Sequence, residues 1–449
     1  MTDAINGINC RHNFRGLRFV ILALSTVCLT FGMCGTVVLH MTVICMREET
    51  TTNATSFSAP MFTFAEEGWL FSALYLGTLL GTIPIGHLCT LIGFRRTFTA
   101  YGILNGLGTV AVPLAVKFLT KPFHFVAIFG ARFFQGIFLS MSLVAIEAIS
   151  KNWSTLKEMT LFISILSIHF QLGRIITMPL SGFLCDSSLG WPSVYYLLGI
   201  PTLFTFSLFC LFYRETPSQH RLICAAEIER IQSGKMVDTS SSATRRHRKG
   251  LKFLQNWQVL SLFGVGIGFA LGAHTFSLYG PIYLHNSIGI DMHQTGVVVA
   301  LPFVISIFLS IAVGRLFDRL IGTKAALVLL TCVSQYAMAI GYTLLAFITP
   351  SNPLLIQALY VLIMSLVGLC PIGLVKQARW VDAENAQAIN SINTAIYYII
   401  VMLIPEFVTL IIPNPDDQSG RGWNVIFLFV AILQTVSAAI SHISIMTKK

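Results

Sequence analysis

Arg132, Glu147, His169, Arg174, His274 and Glu406 stand inside long apolar stretches of a 449-residue chain. An ionisable side chain in hydrocarbon costs about 2.5 kcal/mol or more on insertion scales, so such residues usually face a cavity or a partner. No acidic residue shares the outer halves of the stretches that hold Arg132 and Arg174. Two such arginines point to an anion, because a guanidinium fork matches carboxylate or phosphate. The alternative is local: either arginine can cap carbonyls of a neighbouring helix or snorkel outward. Gln135, one turn from Arg132, can bond a solute or hold the arginine. With His274 these three are the candidate solute ligands. Glu147, His169 and Glu406 are candidates for coupling, since each can carry a proton. Glu147 also fits an inner salt bridge, Glu406 an interfacial anchor, and either histidine a satisfied buried ring. Glu147 lies 15 residues beyond Arg132. That is about 22 Å along a helix, too far for a direct bond. Their projections differ by about 60°, so both can line one path at different depths. Asn390 and Asn393 fit bonds between neighbouring helices.

The elements that must position these residues are membrane spans. The chain is 55% hydrophobic and only 11% charged, and its mean hydropathy is +0.75, far from a soluble composition. Twelve runs meet the length of a spanning helix: 19–46, 67–91, 97–117, 123–150, 159–184, 191–213, 258–285, 294–317, 324–349, 353–375, 385–413 and 423–446. The first exceeds a signal-peptide core and lacks a small-residue cleavage site, so it is read as retained. With the N-terminus inside, 23 of the 29 basic residues fall on inner segments and four, Arg47, Lys117, Lys121 and Arg421, outside. The remaining two are Arg132 and Arg174. That asymmetry sets both termini in the cytoplasm. It also explains the net charge of +10 without nucleic acid. Ten scattered cysteines without CxxC spacing read as small buried hydrophobes, and no metal site is expected. Nothing resembles a catalytic triad, an HExxH site or a Walker loop, so neither an enzyme nor an ATP-driven pump is expected.

A long polar inner segment, 214–257, contains RRHRKG and divides the runs six and six. The first outer loop carries Asn53-Ala-Thr55, a glycosylation acceptor on the correct side of the membrane. GHLCTLIGFRR (Gly86 to Arg96) follows the second run and GRLFDRLIGTK (Gly314 to Lys324) follows the eighth. Equivalent loops six runs apart imply two parallel repeats with a site at their interface. The loops resemble the G-x-L-x-D-R-x-G-R/T-R/K signature of the major facilitator superfamily. The expected cytoplasmic gate comprises Gly86, Gly93, Arg95 and Arg96 with Gly314, Arg315, Asp318 and Arg319. Its Asp is suited to a helix N-terminus or a basic side chain. Thr90 replaces that Asp in the first copy.

GWPSVYYLLG (Gly190 to Gly199), ETPSQHRLICAAEIERI (Glu215 to Ile231), RFFQG (Arg132 to Gly136), Trp153 with Glu158, the stretch from Ile288 to Phe303 and RGWNVIFLF (Arg421 to Phe429) keep their order over nearly the whole chain. They resemble the organic-anion transporter family that contains vesicular glutamate transporters, sialin and sodium–phosphate cotransporters. Three departures stand out. FGMCG has Met33 and Cys34 where the family often has a first-run Arg; QGIFLS has Leu139 and Ser140 in place of Glu and Gly; WVDAENA replaces D-I-A-P-R. The resemblance associates the missing Arg and Glu with anion recognition and ion coupling, and Arg174 is suited to replace the lost cation.

The expectation is an all-α membrane protein of the major facilitator fold, with twelve transmembrane helices in two pseudo-symmetric six-helix bundles. Residues 1–18 form a cytoplasmic N-terminus, 19–213 one bundle, 214–257 a linker, 258–446 the second bundle and 447–449 a cytoplasmic C-terminus. The expected function is secondary transport of an organic anion or phosphate by alternating access, with H⁺ or Na⁺ as coupling ion and no cofactor. The alternative is a non-transporting receptor or scaffold on the same fold. Its partners would be a small anionic solute and the bilayer, with a monomer expected. The outer sequon implies the secretory route and leaves plasma, lysosomal and vesicular membranes open.

Overall fold

The computed structural model describes residues 16–47, 60–121, 123–233, 251–320, 324–348, 352–412 and 421–446. Among these, ten helices are long and apolar enough to cross a membrane. The main elements are α1 (Leu17–Val37), α2 (Phe64–Leu91), α3 (Phe94–Phe118), α4 (Phe123–Trp153), α5 (His169–Cys185), α6 (Gly190–Phe212), α7 (Trp257–Ile282), α8 (Met292–Leu320), α9 (Lys324–Phe347), α10 (Pro353–Leu366), α11 (Cys370–Val381), α12 (Ala386–Ile411) and α13 (Arg421–Met446). The fold is all-α, and α10 with α11 occupies the tenth run.

Several apolar runs do not continue as single straight helices. The first continues beyond α1 as Leu39–Thr42 and the 3₁₀ turn Val43–Cys45. The fifth is divided at Ile168, between Met159–Ser167 and α5. α7 runs on into a π-helical turn, Tyr283–Ser287. Such breaks free backbone groups that hydrocarbon cannot satisfy, so side chains must meet them.

The chain packs as two compact units. The first takes in Met1–Val37, Gly77–Gly173 and Tyr195–Arg245. Its core packs Phe98, Phe138, Phe206, Phe209 and Tyr213, with Phe98 and Phe209 edge to face at 5.0 Å between centroids. At one end, Glu227 of the short helix Ala225–Gln232 accepts bonds from the N–H groups of Gly16, Leu17 and Arg18 at 3.0, 3.2 and 3.3 Å. A carboxylate there satisfies the orphan donors of α1 and meets the positive end of its dipole. Arg18 bridges Glu227 at 3.2 Å and Glu158 at 3.0 Å.

The second unit takes in Val38–Leu76, Arg174–Val194 and Arg246–Lys449. Phe276 is its aromatic hub, against Tyr342, Tyr360 and Phe427 at 4.8, 5.1 and 5.2 Å. α5 crosses α8 closely: a Cβ on Gly182 would lie 2.6 Å from the Met292 carbonyl oxygen, and one on Gly296 2.6 Å from that of Met178. Only glycine permits that approach.

A polar repeat accompanies the sequence repeat. Asn105 of α3 donates to the Gly32 carbonyl at 2.9 Å, and Gln135 of α4 to the Thr109 hydroxyl at 3.0 Å. In the second half, Gln335 of α9 donates to the Val265 carbonyl at 2.8 Å, and Gln377 of α11 to the Thr331 hydroxyl at 2.9 Å. The same two bonds, amide to backbone and glutamine to threonine, tie equivalent helices together.

One reading is corrected. The cysteines are not uniformly small hydrophobes, because Cys45 and Cys185 form a disulfide across 140 positions. Both sit at helix ends, where the Cα atoms come within 6.1 Å. No sequence spacing signals a pair brought together by tertiary packing alone.

Candidate functional site

The second unit gathers one cluster of polar side chains from four helices. Tyr75 comes from α2, Arg174 from the first turns of α5, His274 from mid-α7 and Tyr397 from α12. Local structure sets each. α5 begins afresh after the break at Ile168, so Arg174 stands within two turns of a helix start. Tyr397 is held flat by stacking on Phe269 at 6.1 Å, with Tyr398 edge-on at 5.3 Å.

His274 is 7% exposed, and both of its ring nitrogens are engaged. Nδ1 faces the Tyr75 hydroxyl at 3.4 Å, and Nε2 bonds the Tyr397 hydroxyl. A neutral imidazole has one donor and one acceptor nitrogen. One tyrosine therefore donates to the ring and the other accepts from it. The Arg174 guanidinium lies 5.1 Å over the ring of Phe303, a cation–π contact. It also interacts electrostatically with Tyr75, Tyr360 and Tyr397, and with His274. The site thus holds a permanent cation, several hydroxyls and an imidazole among aromatic walls. Such a set can bind a small anion through the guanidinium and orient it with neutral donors.

The other predicted residues lie elsewhere. Arg132 and Gln135 belong to the first unit. Arg132 is 1% exposed and donates from Nη1 to the Thr36 carbonyl and to Gln135 Oε1, both at 2.8 Å. Thr36 stands where α1 breaks, so Arg132 meets a carbonyl at that break, and Gln135 holds the arginine. Glu147 is exposed on α4. His169 bonds the Leu166 carbonyl at 2.7 Å across the Ile168 break, with its ring tilted against Phe170 at 4.0 Å. Glu406 accepts from the Ser72 hydroxyl at 3.3 Å; the same hydroxyl also bonds the Met402 carbonyl.

In the first signature loop, Thr90 turns back to the His87 carbonyl at 2.8 Å. Glu215 accepts from the Arg95 N–H at 3.4 Å at the start of α3. Gly93 makes room with φ +88°, a conformation that disfavours any side chain. Gly86 borders open space, and Arg96 is exposed. Gly314, Arg315, Asp318 and Arg319 continue the α8 helix, but their side chains lie outside the described residues, as does Asn53.

Arg174 and His274 are conspicuous in the sequence because charge and imidazole stand out in apolar helices. Tyr75, Tyr360 and Tyr397 are not. The signal that marks them is a tyrosine hydroxyl deep in a run, which needs a bonding partner.

The family model described as Major Facilitator Superfamily matches residues 20–375. The chain is 25% identical to sodium-dependent phosphate transport protein 3 of Mus musculus over 377 residues, covering 82% of this chain and 75% of that protein. It is 26% identical to sialin of Homo sapiens over 256 residues, covering 57% of this chain and half of sialin. The crystal structure of the D-xylose–proton symporter superposes with a TM-score of 0.69 at 14% identity, covering 93% of this chain and 97% of the other. That likeness concerns the fold.

Proposed function

From the premise that the chain belongs to the Major Facilitator Superfamily, we propose that it carries an anionic solute, organic anion or phosphate, across a membrane by alternating access. It is a multi-pass membrane transporter and not an enzyme. The halves 19–213 and 258–446, linked by 214–257, would act as the two repeats, with both termini cytoplasmic and a monomer as the working unit. The names of the relatives, phosphate transport protein and sialin, favour an anion.

The observation that carries the reading is Arg174 seated among Tyr75, Tyr360, Tyr397 and His274 with Phe303 beneath it. A guanidinium cannot shed its charge in a protein. A charged fork set among neutral hydroxyls fits an anion. Arg132, by contrast, supports the break in α1. H⁺ and Na⁺ are the candidate coupling ions, with Glu147, His169 and Glu406 available besides His274. The membrane is plasma, lysosomal or vesicular.

The test is uptake of labelled phosphate and benzoate into proteoliposomes under imposed pH and sodium gradients. Uptake of either anion that depends on a gradient supports the reading. Absence of uptake under every gradient, with folded protein present, contradicts it.

A further inference from the structure

His274 bridges two tyrosine hydroxyls contributed by different helices, Tyr75 from α2 and Tyr397 from α12. Such a bridge has two proton states with different donor counts. In the neutral state, one hydroxyl spends its proton on the ring and the other accepts the ring's single N–H. When the ring gains a proton, both nitrogens donate, and both tyrosine oxygens become acceptors. The hydroxyl that had donated to the ring then has its O–H released. One protonation therefore adds a positive charge and frees one donor, both beside Arg174.

Around the ring and its tyrosines stand Arg174 from α5, Cys370 from α11 and Tyr398 beside Tyr397, with Tyr360 from α10 on the Arg174 side. From α13, Gln434 lies against Gly272 and carries no charge. A second positive charge next to Arg174 is favourable only with an anion to balance it. Proton and anion then help each other bind, and the help is reciprocal.

We propose that the Tyr75–His274–Tyr397 bridge is the proton-coupling element of the site: protonation of His274 releases a tyrosine O–H to the anion held by Arg174, so one proton and one anion bind and leave together. The proton comes from water on the side where the anion enters and returns to water on the other. No covalent bond is made or broken. This rests on the anion-transport reading above.

The test measures binding of labelled benzoate and of labelled phosphate to the full-length protein in nanodiscs at pH 5.5 and 7.5. For the wild type, affinity at the lower pH rises about tenfold, within the usual span for coupled sites. His274→Gln keeps a donor and an acceptor but cannot charge, and its affinity for benzoate, an anion at both pH values, is the same at each. Loss of the hydroxyl that donates to the neutral ring, by Tyr75→Phe or by Tyr397→Phe, shrinks the gain to about threefold, a fraction of normal site coupling. Melting curves verify folding, and the two tyrosine variants decide should His274→Gln not fold. A wild-type pH response retained by His274→Gln, or by Tyr75→Phe and Tyr397→Phe alike, overturns the proposal. Wild-type binding that ignores pH overturns it too, while leaving anion transport intact. Wild-type failure to bind either probe overturns both readings.

Discussion

At the residue scale, the two intramembrane arginines have different work. Arg174 offers a planar fork over an aromatic ring, which a lysine cannot reproduce. Arg174→Lys is expected to weaken probe-anion binding about tenfold, equivalent to about 1.4 kcal/mol. A titration with labelled benzoate reads this directly, and unchanged affinity would remove the fork from the account. Arg132 instead meets the Thr36 carbonyl and Gln135 inside the first unit. Arg132→Ala leaves both acceptors buried without that donor, and about 1–3 kcal/mol of stability should be lost. The measurement is the melting temperature in detergent; a variant as stable as the wild type would refute the framework role. Charge makes both arginines visible in the sequence, but charge alone does not separate them. What separates them is the partner each one meets, and a carbonyl freed by a helix break leaves no mark on residue type.

At the element scale, the helix ends are held by carboxylates drawn from distant segments. Glu227 caps α1, Glu215 meets the start of α3, and Glu158 joins Arg18 to Arg230. Partial burial raises the Glu158 carboxyl, yet the Thr155 hydroxyl and the Arg18 and Arg230 guanidiniums outweigh it and hold it below the ordinary carboxylate range. A depressed carboxylate contributes stability above its unfolded value, near pH 4.3, and loses it as pH falls through the lower folded value. Thermal melts of wild type and Glu158→Gln should therefore differ at neutral pH and converge below about pH 4. A difference that persists in acid would show that the charge is not what matters. The Cys45–Cys185 disulfide is a second clamp, and Cys45→Ser with Cys185→Ser should cost about 2–4 kcal/mol. Non-reducing and reducing melts compare the two forms. The apolar runs are legible because span length is a local property of composition. The disulfide and the Glu215 contact at the start of α3 are not, because each joins segments far apart in the chain.

At the scale of the whole molecule, the sequence repeat and the paired amide bonds describe one architecture. Asn105 and Gln135 in one half have counterparts in Gln335 and Gln377 in the other. The signature loops make that symmetry readable from residue order alone. The cluster around Arg174 breaks it, since His274, Tyr75 and Tyr397 converge on one arginine that has no sequence counterpart in the matching run of the second half. The proposed site lies where the repeats diverge, which is why the fold is more legible in the residue pattern than the site. The family's missing first-run arginine and fourth-run acid need not end transport if Arg174 supplies the cation. Solute counterflow tests this most directly. Proteoliposomes preloaded with unlabelled benzoate or phosphate should accumulate the labelled anion transiently with wild-type protein, and Arg174→Ala should abolish the overshoot while the protein stays folded. Wild-type protein that binds an anion without counterflow would point to the non-transporting receptor, and an Arg174→Ala overshoot equal to the wild type would contradict the assigned site.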